Sequence, residues 1–306
     1  MNYEFEKQKW KNYLKDIKMN RKYIKKFGKE NFIKMKYLER GYKDFDINNP
    51  VTFSEKLQSR RLNYNELMMI CADKNKVRKY VESKIGSKYL IPQYFCKSKI
   101  TKKDIENLPN SFILKTSNGS GTNVLVKDKS KEQIKEIVKL INFYTKIEYG
   151  YIWGEFHYNE IPITIVAEKL ILDKFNNVPN DLKVHCFDNG SEKHKVIEYH
   201  YKVDGKNYKN MYDENWEPLD YVFGFKSDGR KIKKPKNLNE ILNVCDKLSE
   251  DTNYVRVDLY NLDGRIYFGE LTFIPGAGYS PFEPESANTL WGRYMGDEKE
   301  YKKNVM

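Results

Sequence analysis

The chain has 306 residues, 40% hydrophobic and 14% aromatic, enough for a large core and two or three sub-domains. No stretch approaches the ~20 apolar residues of a membrane span. The four cysteines (Cys71, Cys96, Cys186, Cys245) form no CxxC pair, and the four histidines (His157, His185, His194, His200) lack compact ligand spacing, which argues against a zinc site. The net charge of +12 admits a polyanionic partner, a nucleotide-sugar or anionic glycan, beside the plainer reading of a solvated lysine surface.

Residues 1–45 read as basic helices, with Trp10, Tyr13, Leu14, Ile17, Tyr23 and Ile24 near helical spacing and lysines between them. Such a helix packs on its own protein or lies on an anionic membrane, and packing is the favoured reading. The opening segment has no apolar core of the signal-peptide kind, so the expected location is cytoplasmic, within reach of the inner face of the membrane. Asn48-Asn49-Pro50 breaks the pattern, and Thr52 or Ser54 caps the next helix. Cys71-Ala72-Asp73-Lys74 leads into a helix over 75–83 that ends near Gly86. An extended segment from Leu90 and a short helix over 101–107 follow.

Ser111–Asp128 (SFILKTSNGSGTNVLVKD) predicts a β-hairpin whose tip, Thr116–Asn123, is rich in small residues. It matches neither GxGxxG nor GxxxxGK[ST]. Backbone N–H groups of such a tip can still fold over phosphates, and Lys115 can reach a phosphate as a point charge. An ordinary hairpin with a surface lysine is the other reading. A helix over 130–145 and strands over 163–172, 181–188 and 195–201 come next, then a charged loop over 227–236 and a helix over 238–250. The aromatic run Tyr151–Tyr158 reads as core, or as sugar-stacking rings. The polar, aromatic stretch 201–220 is a candidate wall of an acceptor pocket, and the chain after Gly278 carries no readable pattern.

The stretch that organises the chain is Tyr254–Gly278, YVRVDLYNLDGRIYFGELTFIPGAG. Val255, Val257 and Leu259 alternate with Arg256, Asp258 and Tyr260, and Asn261-Leu262-Asp263-Gly264 supplies a turn. Glu270 interrupts an apolar returning strand, where a lone carboxylate is costly. Facing each other across a hairpin, Asp258 and Glu270, with Thr272 beside them, make an oxygen-rich site suited to Mg²⁺ carried on phosphates. A salt bridge to Arg256 is the alternative, and spacing leaves both open.

Asp73-Lys74 opening a helix, Lys115 before a Gly/Ser loop, Glu168-Lys169-Leu170 at a strand end, and Arg256-x-Asp258 followed by Glu270-x-Thr272 occur in that order. Together they resemble the ATP-grasp superfamily. The stretches NPVTFSEKLQ, CADKNKVRKYV, VRVDLYNLDG and FGELTFIPGAG are most similar to its TupA-like branch, associated with teichuronopeptide and surface polysaccharide. The resemblance covers roughly residues 30–280 and implies an α+β ATP-grasp fold, with mixed or antiparallel sheets in two sub-domains clasping a nucleotide behind a helical N-terminal extension. The expected division is an extension over 1–50, an N-terminal part over 51–108, a small sub-domain over 109–172 and a C-terminal sub-domain over 173–306.

The resemblance further implies roles. Lys74 and Lys115 would address ATP phosphates, and Ser117, Asn118, Gly119, Ser120 and Gly121 would close over them. Glu168, Lys169, Leu170 and Ile171 would form the hinge that reads adenine and ribose. Asp258 and Glu270 would bind Mg²⁺; Thr272, whose hydroxyl is a weaker oxygen ligand, stands where many members have Asn. Arg256, joined by Lys183, would face the transferring phosphate. The implied reaction joins a carboxylate to an amine through an acyl phosphate, with ATP and Mg²⁺ as cofactors and an amino acid and a uronic acid of a surface polysaccharide, or its precursor, as expected substrates. No nucleic acid is expected. The alternatives are a kinase of a glycan or metabolite and a non-catalytic nucleotide- or polyanion-binding module.

Overall fold

The structure, a computed structural model, describes residues 3–297. In chain order, helices α1 (Tyr3–Leu38), α2 (Phe53–Arg60), α3 (Glu66–Ala72) and α4 (Val77–Ile85) lead to β1 (Gln93–Lys97) and α5 (Lys102–Glu106). Then come β2 (Phe112–Thr116), β3 (Asn123–Val126), α6 (Ile134–Tyr144), α7 (Gly150–Trp153) and β4 (Ile165–Glu168). The remainder runs through β5 (Asp181–Asp188), β6 (Lys193–Val203), β7 (Lys206–Tyr212), β8 (Val222–Phe223), α8 (Leu238–Ser249), β9 (Tyr254–Leu262), β10 (Arg265–Thr272), β11 (Phe282–Glu283) and α9 (Ser286–Met295). These form two compact units. The first comprises the chain up to Asp44, Arg61–Arg78 and Ile91–Leu172; the second comprises Phe45–Arg60, Lys79–Leu90 and the chain from Asp173 onward.

The first unit is built on an antiparallel sheet of order β1-β4-β2-β3. Phe112, Leu114, Val124 and Val126 alternate inward from β2 and β3 and meet Ile137, Leu140 and Ile141 of α6. Helix α1 completes this core: Trp10 and Ile17 are buried in it, and the Trp10 and Tyr144 rings meet edge-on at 5.6 Å. The aromatic run after Tyr149 is largely core as well, with Phe156 and His157 buried.

The second unit carries an antiparallel sheet of order β10-β9-β5-β6-β7. One face is apolar: Val184, Val255, Val257 and Ile197 are fully buried, and α8 packs there against β5 and β9. The opposite face is mixed. At one end Phe187 and Tyr254 join Phe53, Phe223, Phe282 and the fully buried Trp291 of α9 in an aromatic cluster. Towards the other end its side chains are charged.

Several elements differ from the sequence reading. The strand expected over 163–172 is confined to Ile165–Glu168, after which Lys169 N donates to Pro92 O at 2.9 Å, beside the start of β1. Strand β7 runs through a stretch whose polar, aromatic residues hide its alternation. Helix α9 was unreadable, since in SANTLWGRYM the buried face includes Ala287, Asn288 and Gly292 beside Trp291 and Met295.

Two buried histidines give the fold a pH limit. Burial pushes His185 down to about 4, and burial with the nearby Arg61 charge pushes His157 down to about 3. The unfolded chain therefore takes up these protons first as pH falls through about 6.5. Stability is full above that value and declines below it, by roughly 3 kcal/mol from His185 alone. Thermal unfolding should show Tm falling between about pH 7 and 5, with a shallower slope in His185→Gln; a flat profile would contradict this.

Candidate functional site

In the first unit the candidate residues gather around the β2–β3 hairpin. Asp73 caps the start of α4 by accepting from Asn75 N at 2.8 Å and Lys76 N at 3.2 Å, and this turn holds Lys74. Lys74 N donates to Ser117 O at 2.9 Å, and Lys74 Nζ donates to Gly119 O at 2.6 Å. Lys115 Nζ donates to Glu168 Oε2 at 2.8 Å, and Arg78 Nη1 reaches Glu168 Oε1 at 3.3 Å. Glu168 is buried and faces these two cations.

The loop is ordered at its base and open at its tip. Ser117 N donates to Thr164 O at 2.8 Å, Ser117 Oγ donates to Pro162 O at 2.9 Å, and Ser117 and Asn118 are buried. Gly119, at φ +69, lies so close to Tyr149 that a Cβ would fall 2.4 Å from the ring's Cγ. Only Ser120 and Gly121 of the predicted cover are exposed. Beyond β4, Lys169 is exposed while Leu170 and Ile171 are buried.

In the second unit the hairpin register decides the site. Asp263 (φ +50) and Gly264 (φ +84) make the two-residue turn, and Arg265 pairs with Leu262. From there the ladder is regular to Phe268 opposite Leu259, then shifts so that Glu270, not Gly269, lies opposite Asp258. Gly269 is the extra residue of a β-bulge. A Cβ on it would fall 2.9 Å from Asp258 O, so the neighbouring backbone leaves no room for a side chain. The bulge sends Glu270 to the charged face and Leu271 to the apolar one.

On that face Arg256 grips Asp258 with two bonds, Nε to Oδ1 at 2.6 Å and Nη2 to Oδ2 at 2.7 Å. Arg256 Nη2 also reaches Glu270 Oε1 at 3.4 Å and Thr272 Oγ1 at 3.2 Å, and Thr272 donates to Glu270 at 3.1 Å. Lys183, directly across from Asp258 on β5, donates to Asp258 Oδ2. Burial opposes the charge of Asp258, yet Arg256 and Lys183 outweigh it and hold the carboxyl below its ordinary range. Burial likewise opposes the charge on Lys183, but Asp258 outweighs it and raises the ammonium. The salt bridge weighed against a metal is thus present, with Arg256 joining both carboxylates.

No sequence signal marks the rest of the charged layer. Glu198, opposite Lys183 on β6, is fully buried; Lys209 Nζ donates to it at 2.9 Å, and His185 Nε2 stands 3.5 Å away. Burial lowers Lys209, whereas Glu198 stays low despite burial because His185 and Lys209 face it. Each of these residues is an unremarkable charge in its own strand, and only the cross-strand register assembles them.

A family model described as TupA-like ATP-grasp matches residues 55–296. No curated protein matches the chain. Among solved structures, N5-carboxyaminoimidazole ribonucleotide synthetase in its ADP complex is 13% identical with a TM-score of 0.44, over 72% of this chain and 50% of that one. The D-alanine–D-alanine ligase of Helicobacter pylori is 16% identical with a TM-score of 0.43, over 77% and 60%. That of Bacillus anthracis is 18% identical with a TM-score of 0.42, over 74% and 64%. The chain therefore spans between 50% and 64% of the length of these proteins.

Proposed function

The chain belongs to the TupA-like ATP-grasp family, and from that premise we propose that it is an ATP-dependent carboxylate–amine ligase. On this reading the acceptor carboxylate attacks the γ-phosphate of ATP, giving an acyl phosphate and ADP. An amine then attacks the acyl carbon and expels phosphate, leaving an amide. The observation that carries the reading is the bulged hairpin, which presents Asp258, Glu270 and Arg256 on one sheet face with Lys183 of β5 beside them. Arg256 and Lys183 are the charges that would steady the transferring phosphoryl group.

Magnesium fits the donor set. Asp258 and Glu270 are hard oxygen ligands, and the Thr272 hydroxyl lies between Glu270 and Arg256. Among the described residues no group of three or more His, Cys, Asp or Glu side chains is arranged to hold a metal. Mg²⁺ takes one or two carboxylates and completes its shell with phosphates and water. When bound, the ion would neutralise phosphate charge. Lys74 and Lys115 would exchange their present oxygen partners, Gly119 O and Glu168, for phosphate oxygens. Ser120 and Gly121 would cover the phosphates, and Glu168 with Lys169, Leu170 and Ile171 would hold the nucleoside.

The acceptor we favour is a uronic acid of a surface polysaccharide or its precursor, with an amino acid as the amine, handled in the cytoplasm. The net charge of +12 supports an anionic acceptor. Among the described residues no helix is long and apolar enough to cross a membrane.

Calorimetric titration of ATP with and without Mg²⁺ tests the nucleotide reading. Binding should require Mg²⁺ and weaken about tenfold or more in Lys115→Ala. Glu168 keeps Arg78 as a partner in that variant, so the fold should survive. ATP binding that ignores both Mg²⁺ and Lys115 would remove the assignment.

A further inference from the structure

Helix α1 has two faces, and the fold uses one of them. Trp10 and Ile17 are buried in the core of the first unit. Asn20 Nδ2 donates to Tyr151 O at 2.8 Å, and Arg21 pairs with Glu148 at 2.8 Å. The helix is thereby held in place before any partner arrives. Packing on its own protein accounts for this side, and the other side is basic.

The helix holds 36 of the 306 residues. Eleven lysines and Arg21 stand there against Glu4, Glu6, Asp16 and Glu30. Twelve positive charges against four negative leave +8 of the chain's +12, so the basic character is concentrated in this element. Lys11, Lys15, Lys18 and Lys22 follow at spacings of four, three and four. At ~100° per residue they fall within an arc of about 60°, turned away from Trp10 and Ile17. All four are exposed. Among the described residues, the ion pairs of α1 fall elsewhere, at Lys9, Arg21, Lys34 and Lys36. The four precede Gly28, where a φ of +88 kinks the helix, so they line one unkinked segment over about 16 Å. Lysines at these spacings repel one another, a cost that a negatively charged partner relieves.

The residues beside the row decide which partner fits. Met19 neighbours Lys15 and Lys22 at helix spacing, and Phe5 lies about 40° further round. They are 62% and 65% exposed. A nucleic acid answers the lysines but leaves these two side chains in water. An anionic bilayer answers both, since headgroup charge meets the lysines while Phe5 and Met19 reach the acyl boundary beneath.

We infer that the outer face of α1 docks on an anionic lipid bilayer, with the lysine row on the headgroups and Phe5 and Met19 inserted between them. This docking does not depend on the ligase reading.

The test sediments the full chain with vesicles of phosphatidylcholine alone and of phosphatidylcholine mixed with phosphatidylglycerol. Binding to the mixed vesicles should be about a hundredfold tighter and should weaken as salt rises. Lys11→Gln, Lys15→Gln, Lys18→Gln and Lys22→Gln together should remove about a hundredfold, and Arg at the same four positions should preserve binding. Gln matches Lys in helix propensity and the four side chains are exposed, so the fold is retained. Lys102→Gln, Lys131→Gln, Lys202→Gln and Lys233→Gln together remove the same charge from exposed positions outside α1 and should cost about threefold or less. Phe5→Gln with Met19→Gln should lose about tenfold. Equal binding to both vesicles, no binding to either, a row variant or an apolar variant that binds like wild type, or a control that loses as much as the row would overturn the docking. So would a short DNA duplex bound more tightly than the mixed vesicles at matched salt, which would assign the row to nucleic acid.

Discussion

Asp258→Asn should lower ADP release by about a hundredfold or more, the scale of losing a principal electrostatic contact in an active site. It should also lower stability. Asp258 is buried, and its two oxygens answer both Arg256 and Lys183. A neutral amide leaves those two cations facing each other with one charge fewer between them, and breaking a buried pair costs about 3–5 kcal/mol. Glu270→Gln separates the two effects. Glu270 is nearly half exposed, and its ion pair with Arg256 is long at 3.4 Å. The stability change there should stay within about 1 kcal/mol, while activity falls as steeply as in Asp258→Asn. Thermal unfolding and ADP release measured on both variants decide the matter. Near-wild-type turnover in Glu270→Gln would exclude this carboxylate from the metal site.

Gly269→Val should be comparably damaging, although Gly269 carries no chemistry. Any Cβ there meets Asp258 O at 2.9 Å, a backbone atom that cannot rotate aside. Either β9 and β10 separate or the bulge is lost. Overpacking of this kind costs about 1–3 kcal/mol. If the bulge is lost by restoring the regular ladder, residue 269 faces Asp258 and Glu270 turns towards the apolar face beside Val257. The expected result is a lower Tm together with loss of ADP release far beyond what the Tm shift explains. A Gly269→Val variant with wild-type Tm and turnover would show that the shifted register is not needed.

The hairpin illustrates what the sequence reveals and what it conceals. Its strands and turn are legible because Val255, Val257 and Leu259 alternate with polar residues and Asp263-Gly264 is strong turn chemistry. Its register is not: a register centred on the turn, from which Asp258 and Glu270 are expected to share one cation, in fact puts Gly269 opposite Asp258. Only the bulge brings Glu270 there, and a glycine in a strand signals a bulge without fixing its direction. The β2–β3 hairpin was readable for the same reason of alternation, but not the anchoring of Ser117 to Pro162 and Thr164, which depends on a strand distant in sequence. Strand β7, and with it the partner of Glu198, stayed hidden because charged and aromatic residues on an edge strand look like loop until their partners are known. Lys115, Asp258 and Glu270 stand out within their own hairpins, and Lys74 through the order of the motifs along the chain. Glu198, Lys209 and His185 follow no such order.

The charged face of the five-stranded sheet has an evolutionary corollary. Glu270, Arg256, Asp258, Lys183, Glu198 and Lys209 succeed one another across it, and most members touch a partner of opposite sign. Changing one of the buried members alone, Arg256, Asp258, Lys183, Glu198 or Lys209, strands a neighbour's charge in a buried setting and removes a large share of a marginal stability. The layer can therefore drift only through paired replacements, acid and base together, or through an intermediate rescued by stability gained elsewhere. Single-step routes away from the buried pairs are costly, so descendants of this sequence should retain those pairs even where selection for the chemistry has relaxed, while the half-exposed Glu270 is free to change.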